Sequence, residues 1–338
     1  MFRLSVYFYR LSVVECKILY TFVLPLNNLL MKTNHIKMAA LAVACLLSTA
    51  CSKESIDSTI NDTDLVYKVS TELESAVFTD LDYGDHEQQI FDVYLPANRS
   101  TQTTKVIILL HGGGWMNGDK AGMNNYVQSI SESNPDYAIV NMNYVLAAAP
   151  STPAFPNQFH DIGLMLDHLT SESESLQILP EFALIGKSAG AHLALQYDYM
   201  YDLEDRVKSV TSIVGPTDFT HPYYSENPNY THLLNILVDS NAYFASSIGA
   251  MNLKPNVIKI LSPLYQASVN SSPTLLFYGK NDTTVPVKNA YDLEEKLNFL
   301  GVPVLLNVFE GGHNDWNTET NEHVSNTLTG FLKEHFTI

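Results

Sequence analysis

The stretch that most constrains the fold is Gly186-Lys187-Ser188-Ala189-Gly190, together with its flanks. Residues 182–185 before it form an apolar run of strand length, and residues 191–197 after it are typical of the start of a helix. A Gly-x-Ser-x-Gly between a strand and a helix is a nucleophile elbow, whose tight turn projects the serine hydroxyl away from the sheet. The glycines are required because a Cβ at either position would collide with the neighbouring strand and helix backbones. The pattern therefore predicts Ser188 as a candidate nucleophile.

Around this elbow, apolar or β-branched runs alternate with helical patterns, which indicates an α/β domain with a mostly parallel central sheet. We expect an antiparallel strand over residues 89–95, where apolar and polar residues alternate, and buried strands over 105–110, 137–142, 182–185, 207–214, 273–277 and 304–308. Helices are expected over 157–169, 189–203, 287–300 and 321–335. Because no internal repeat and no second compositional block is present, we predict a single catalytic domain over residues 72–338.

The first 71 residues have the pattern of an export signal and a tether. Residues 31–50 run from a short basic segment through an apolar one to small residues, which is typical of a signal peptide and is too short to span a bilayer. Cys51 follows directly and resembles the lipidated cysteine of bacterial lipoproteins; the alternative is an ordinary cleaved signal with an incidental cysteine. Since Met31 supplies a start at the basic segment, we expect residues 1–30 to be absent from the natural protein; the rival is a first membrane helix, which Arg10, Glu15 and Lys17 argue against. Residues 51–71, rich in Ser, Thr, Asp and Asn, predict a flexible tether.

Cysteine usage and charge limit the chemistry that the domain can perform. The three cysteines are Cys16, Cys45 and Cys51, so no disulfide or thiolate metal site is possible after Cys51. The first 50 residues carry five basic and one acidic side chain, so that the whole chain's net charge of −17 becomes −21 in the remainder. Such an acidic body disfavours nucleic acid and anionic membrane surfaces as partners. We expect membrane attachment only through a lipid on Cys51, and Ser52 after it resembles lipoproteins sent to the outer membrane.

The segment from residue 217 to residue 265 has weak strand and helix patterns and a concentration of aromatic residues: Tyr223, Tyr224, Tyr230, Tyr243 and Phe244. As an insertion after a sheet strand, it could close over a pocket as a lid or cap. The alternative is a surface excursion whose aromatic side chains seal the core.

Acyl transfer by a serine needs a base within reach of the hydroxyl and an anion that orients the base. Asp282 is the candidate acid because it follows an apolar strand, and Asp315 and Asp218 are its competitors. His313 is the candidate base because, of the 11 histidines, it lies on the loop after the last strand. The order Ser188, Asp282, His313 is the one that the elbow requires.

The chemistry also needs donors for the oxyanion, and two loops offer backbone N–H groups. Ala189 directly follows the candidate nucleophile, and the run Gly112-Gly113-Gly114 follows the buried strand at 105–110, where Gly113 and Gly114 permit close approach. We expect His111 to hold this loop rather than to act as a base. No HExxH, CxxC or dinucleotide motif is present, so neither a metal nor a cofactor is predicted.

Together, these motifs resemble the α/β-hydrolase superfamily over about Tyr83 to the C-terminus. The resemblance is best to bacterial esterases with an HGGGW loop, in the hormone-sensitive-lipase-like and feruloyl/acetyl-esterase-like (BD-FAE) branch. It implies an α/β-hydrolase fold, with helices on both faces of a mostly parallel sheet and a small lid or cap insertion. It implies Ser188 as nucleophile, Asp282 as acid and His313 as base. It also implies an oxyanion hole formed by Gly113, Gly114 and Ala189. The sequence departs from the pattern at Lys187, where the hormone-sensitive-lipase branch usually has an acidic residue.

The resemblance implies a serine carboxylic-ester hydrolase without a cofactor, acting on a short acyl or feruloyl ester of a small molecule or a polysaccharide. The signal-like segment and Cys51 add the expectation that it is exported and lipid-anchored. Two alternatives stay open. One keeps the machinery and cleaves an amide, as a formamidase or peptidase of the same superfamily does. The other is a surface lipoprotein that binds a ligand without chemistry, since a fold alone never establishes function.

Overall fold

The computed structural model describes residues 73–148, 151–238 and 254–337, all of which belong to one unit that begins at Ser70. Its centre is an eight-stranded sheet in the order β1-β2-β4-β3-β5-β6-β7-β8. The strands are β1 (Ala76–Asp82), β2 (Ile90–Leu95), β3 (Val106–Leu110), β4 (Ala138–Met142), β5 (Phe182–Lys187), β6 (Val207–Ile213), β7 (Thr274–Gly279) and β8 (Val304–Phe309). The predicted signal peptide, Cys51 and the predicted tether lie outside the described residues, as do Tyr243 and Phe244.

Only β2 runs against the other strands of this sheet. It pairs antiparallel with β1 and with β4, whereas every pairing from β4 to β8 is parallel. The predicted mostly parallel sheet with an antiparallel strand near residues 89–95 is confirmed. The central strands β3 and β4 are buried along their whole length. This burial explains why the sequence shows β3 as a continuous apolar run.

The helices of the described residues are α1 (Asn124–Ser133), α2 (Asn157–Ser171), α3 (Ser173–Leu176), α4 (Ala189–Gln196), α5 (Pro222–Ser225), α6 (Pro228–Leu237), α7 (Lys254–Ile260), α8 (Pro263–Gln266), α9 (Lys288–Leu300) and α10 (Thr318–His335). The predicted helix over residues 189–203 ends earlier, because α4 passes at Tyr197 into a π-helical turn, Tyr197–Tyr201. None of the helices in these ranges is long and apolar enough to cross a bilayer.

The sheet separates two hydrophobic cores. Side chains of α2, α4 and α9 pack on one face, and side chains of α1 and α10 pack on the other. Because successive side chains of a strand point to opposite faces, Ile108 belongs to the first core while its neighbours Ile107 and Leu109 belong to the second. The predicted coverage of both faces is confirmed.

The strand order places a topological switch point beside β3. From β3 the chain moves to β4 on one side and then to β5 on the other, so that the loops after β3 and β5 diverge from neighbouring strand ends. In open α/β sheets, ligands bind in the crevice at such a point, outside the carboxyl ends of the strands. The fold therefore directs attention to the loops that follow β3, β5, β7 and β8.

Candidate active site

The turn after β5 has the backbone of a nucleophile elbow. Ser188 has φ 52° and ψ −116°, a positive-φ conformation that non-glycine residues rarely adopt. A Cβ on Gly186 would lie 2.2 Å from the carbonyl oxygen of Gly190, and one on Gly190 would lie 2.2 Å from that of Leu110. Both glycines are therefore required by the close approach of β5, α4 and β3, as the sequence predicts. The strained turn leaves the Ser188 hydroxyl at the rim of the sheet.

The structure brings the Ser188, His313 and Asp282 side chains into one hydrogen-bonded chain. His313 Nε2 lies 2.9 Å from Ser188 Oγ, and His313 Nδ1 lies 2.7 Å from Asp282 Oδ2. Since Asp282 Oδ2 accepts the Nδ1 proton, Nε2 is left to accept the proton of the serine hydroxyl. The hydroxyl, imidazole and carboxylate thus have the geometry that general-base activation of a serine needs.

The loop after β7 fixes the orientation of the Asp282 carboxylate. Its Oδ1 accepts hydrogen bonds from the backbone N–H groups of Thr284, at 2.7 Å, and Val285, at 2.9 Å. The carboxylate side chain is fully buried, and 14% of the His313 side chain is exposed. The two backbone N–H groups hold Oδ1, which leaves Oδ2 directed at the Nδ1–H of His313.

The competing carboxylates are occupied elsewhere. Asp315 Oδ1 accepts a hydrogen bond from the N–H of Gly312 at 2.5 Å and so closes its own turn. Asp218 Oδ1 accepts from the N–H and the hydroxyl of Thr220, at 2.8 and 2.6 Å. Neither carboxylate makes a hydrogen bond to His313.

The glycine run after β3 forms a tight turn beside the elbow. Gly113 has φ +128° and Gly114 φ +61°, and a Cβ on Gly113 would lie 1.9 Å from the carbonyl oxygen of Asn117. The Gly113 carbonyl accepts the N–H of Asn117 at 3.0 Å, which closes the turn. Gly113, Gly114 and Ala189 all line the same cavity as Ser188.

His111 has the structural position that we expected. Its Nδ1 donates to the carbonyl oxygen of Gly112 at 2.7 Å, and its ring stacks on Tyr144 with centroids 4.3 Å apart. The Tyr144 hydroxyl donates to the His111 carbonyl at 2.8 Å. Burial lowers the pKa of His111, which keeps the ring neutral at physiological pH.

A second buried contact, which the sequence did not predict, joins the glycine loop to α4. The indole Nε1 of Trp115 donates to His192 Nδ1 at 3.2 Å, and His192 Nε2 donates to the carbonyl oxygen of Leu261 at 2.8 Å. Burial lowers the pKa of His192 to about 4, so the ring is neutral with its proton on Nε2. Trp115 itself has φ 64°, so this contact holds a strained residue immediately after Gly114.

The cavity at Ser188 has a volume of about 550 Å³, within the range usual for small-molecule sites. Side chains from the predicted lid line one part of it: Tyr224, Tyr230, Leu233 and Leu234. The hydroxyl of Tyr223 donates to the Thr283 carbonyl, which ties the lid to the loop that carries Asp282. In the described residues, no group of three or more His, Cys, Asp or Glu side chains is placed to hold a metal ion.

Comparison with known proteins relates this chain to esterases. The BD-FAE family model matches residues 91–297. The esterase LipC of Mycobacterium tuberculosis is 23% identical over 227 residues, which are 64% of this chain and 53% of the relative. The chain spans about half the length of the curated relatives that it matches.

Solved structures show the same fold at low identity. A truncated carbohydrate esterase from gut microbiota superposes with a TM-score of 0.59 at 18% identity, over 76% of this chain and 96% of that one. Esterase B from Lactobacillus rhamnosis (HN001) superposes with a TM-score of 0.58 at 19% identity, over 88% of this chain and 96% of that one. The architecture is therefore the α/β-hydrolase fold.

Proposed function

Because the chain belongs to the BD-FAE family, we propose that it is a serine carboxylic-ester hydrolase that acts through an acyl-enzyme. The observation that carries the proposal is the hydrogen-bonded chain from Ser188 through His313 to Asp282 at the wall of a cavity. The relative LipC and the structural neighbour esterase B are both named as esterases, which supports the same reaction class.

In the acylation step, His313 Nε2 takes the proton of the Ser188 hydroxyl as its oxygen attacks the ester carbonyl. The N–H groups of Gly113, Gly114 and Ala189 stabilise the negative oxygen of the tetrahedral intermediate. His313 then gives its proton to the leaving alcohol, and the acyl group remains on Ser188. Asp282 stays ionised and holds the imidazole with its proton on Nδ1.

In the deacylation step, the same imidazole removes a proton from a water molecule that attacks the acyl-enzyme. The second tetrahedral intermediate collapses when His313 returns that proton to Ser188, and the acid leaves. The reaction consumes one water and needs no metal or cofactor.

We propose short-chain acyl or feruloyl esters, of a small molecule or of a polysaccharide, as the substrate class. Aromatic rings at the cavity favour an aryl or sugar group: Phe219, Tyr224 and Tyr230 lie in its wall. The structural neighbour from gut microbiota is a carbohydrate esterase, which is consistent with this class.

We also propose that the chain is exported and anchored in the bacterial envelope through a lipid on Cys51. The cysteine that directly follows the signal-like segment at residues 31–50 supports this proposal. Mass spectrometry of the N-terminal peptide tests it: the acyl mass should be present in the wild type and absent from a Cys51→Ala variant. An unmodified Cys51 in the wild type would contradict the anchor.

The test of the esterase proposal is a substrate panel on the purified full chain: nitrophenyl esters of increasing acyl length and methyl ferulate, beside an arylformamide and a dipeptide amide. We expect the esters to be hydrolysed faster than the amides. Amide rates equal to or above the ester rates would instead support the amide hydrolase.

The same preparation distinguishes an enzyme from a binding protein. A fluorophosphonate probe reacts only with an activated serine, so it should label the wild type and leave Ser188→Ala unlabelled. Equal labelling of both proteins would contradict Ser188 as the nucleophile, and labelling of neither would support a non-catalytic binding role.

A further inference from the structure

Lys187, the last residue of β5, stands directly before Ser188 and lines the same cavity, yet the proposed mechanism gives it no part. We infer that Lys187 binds a carboxylate of the substrate, so that the preferred ester carries an anionic group in its acyl or its alcohol part. This inference rests on the proposed function and adds a substrate class to it. The Lys187 residue is partly buried.

Lys187 lacks the partner that most lysines of the described ranges have. Within these ranges, no hydrogen bond, ion pair or ring contact engages its ammonium group. Lys296 and Lys333 are likewise unpaired there, but neither lines the cavity at Ser188. Lys120, by contrast, is bonded to Asp80 at 2.8 Å and to Asp92 at 2.7 Å. Other lysines are paired with carboxylates too: Lys105 with Glu181, Lys208 with Asp205, Lys280 with Glu310 and Lys288 with Asp292.

An unpaired ammonium group in a partly buried position is energetically unfavourable. Burial lowers the pKa of Lys187, and no neighbouring charge acts against that effect. A charge that has lost water without gaining a partner costs free energy, whereas a carboxylate from a ligand would provide both a counter-charge and hydrogen-bond acceptors. The unfavourable position is therefore explained if a bound substrate supplies the partner.

The charges around the cavity leave this cation available. Lys187 is the one lysine or arginine among the described residues that line the cavity. Asp119 is also in the wall, but it is exposed and its two oxygens accept hydrogen bonds from the Ala121 N–H and the Asn143 amide, each at 2.8 Å. The Asp282 carboxylate is bonded to His313. Neither carboxylate makes an ion pair with Lys187, so neither occupies its ammonium group.

Strand geometry separates Lys187 from the apolar lid. Alternate residues of a strand share a face, so Lys187 lies on the side of Ile185, which packs in the same core as Met123 of the cavity wall. Phe219 and Tyr224 belong to the core on the other face. The cavity thus combines an aromatic part beneath the lid with a cationic part on the other side of Ser188, which fits an ester with one apolar and one anionic end.

The sequence supports a distinct role for this residue. Lys187 replaces an acidic residue of the hormone-sensitive-lipase-like pattern, which reverses the charge beside the nucleophile. The chain as a whole carries −17, so its long-range field does not attract anions. A local cation in the cavity is the feature that would favour a carboxylate at short range.

The test compares substrates of equal shape that differ in one charge. One arm pairs mono(4-nitrophenyl) adipate with 4-nitrophenyl adipamate, its neutral amide analogue, which places the carboxylate in the acyl part. The other arm pairs 3-carboxyphenyl acetate with 3-carbamoylphenyl acetate, which places it in the alcohol part. For each arm, the measured quantity is the ratio of kcat/KM for the anionic ester to kcat/KM for the neutral one.

We expect Lys187→Met to lower this ratio by about 10- to 100-fold in one arm, the one whose carboxylate reaches Lys187. This factor corresponds to the free energy of a hydrogen bond to a charged group. Lys187→Arg keeps the positive charge and should retain most of the wild-type ratio. Lys208→Met is the control. It removes one positive charge from the ion pair of Lys208 with Asp205, at the start of β6 and so at the far edge of the sheet from the cavity, and it should leave the ratio unchanged. Fluorophosphonate labelling of Ser188 in Lys187→Met verifies that the variant is folded.

The outcomes separate this inference from the function on which it rests. If the wild type hydrolyses the neutral esters and Lys187→Met changes the ratio in neither arm, Lys187 does not bind the substrate anion, and the esterase proposal stands. If the wild type hydrolyses none of the four esters, the esterase proposal fails and the inference fails with it. An equal fall of the ratio in Lys208→Met would mean that net charge, and not Lys187, is responsible.

Discussion

Replacing Asp282 by Asn tests how the carboxylate orients the base. The substitution keeps the shape of the side chain but converts one oxygen into an NH2 group. Oδ1 accepts two backbone N–H groups, so this position has to remain an oxygen, and the new NH2 group has to occupy the place of Oδ2, 2.7 Å from His313 Nδ1. An NH2 donor there requires Nδ1 to be an acceptor, which moves the imidazole proton to Nε2.

With its proton on Nε2, His313 can no longer accept the proton of the Ser188 hydroxyl, which lies 2.9 Å away. The same tautomer error in a serine protease lowers kcat by about 10⁴-fold, or about 5 kcal/mol of transition-state stabilisation, and we expect a loss of this order for Asp282→Asn. The assay is kcat for the best nitrophenyl ester, measured from initial rates and corrected for the uncatalysed rate.

Asp315→Asn is the matched control because it makes the same chemical change two residues from His313. Its carboxylate accepts the Gly312 N–H and makes no hydrogen bond to the imidazole, so we expect a loss of less than about tenfold. Nearly full activity in Asp282→Asn, or equal losses in both variants, would refute the tautomer argument.

The remaining predictions concern the loops that support Ser188. Gly190→Ala should prevent accumulation of folded protein, because its Cβ would lie 2.2 Å from the Leu110 carbonyl oxygen; normal yield and melting temperature would contradict this. Trp115→Phe, which keeps a ring but loses the donor to His192, should lower kcat about tenfold with little change in KM or melting temperature; an unchanged kcat would contradict a positioning role. Folding lowers the pKa of His192 to about 4 from an ordinary 6.5, so as the pH falls the imidazole is protonated in the unfolded chain before it is protonated in the folded one. The free energy of unfolding should therefore fall by up to about 3 kcal/mol as the pH drops from 6.5 to 4. The unfolding free energy of His192→Gln should show a weaker dependence over that range; an identical dependence would contradict it.

The sequence predicted best the elements whose burial produces a strong hydrophobic pattern. The central strand β3 is fully buried, so it appears as an uninterrupted apolar run, and the elbow is fixed by two glycines that contacts make obligatory. The same reasoning failed to identify β1, an edge strand in which every residue is exposed or half-exposed. It also did not identify α1, whose only buried residues are Val127 and Ile130, too few for a helical period.

The Trp115–His192–Leu261 contact could not be predicted for a different reason. It joins three segments that lie far apart along the chain, and each residue alone fits an ordinary core position. The available signal was a tryptophan directly after a glycine run and a histidine inside an apolar helix, and neither identifies its partner. Long-range pairing of this kind depends on how α4 packs against the loop after β3, which requires coordinates.

The strand order explains why residues far apart along the chain meet at Ser188, with the acid and the base on one side of it and the glycine loop on the other. From β5 onward, β6, β7 and β8 add in sequence on one side, and all of these strands are parallel, so Asp282 after β7 and His313 after β8 approach Ser188 from that side. The loop after β3 adjoins β5 on the opposite side, where it brings Gly113 and Gly114. The base and the backbone N–H groups therefore flank the serine, and a carbonyl bound between them would meet the hydroxyl on one side and the oxyanion donors on the other.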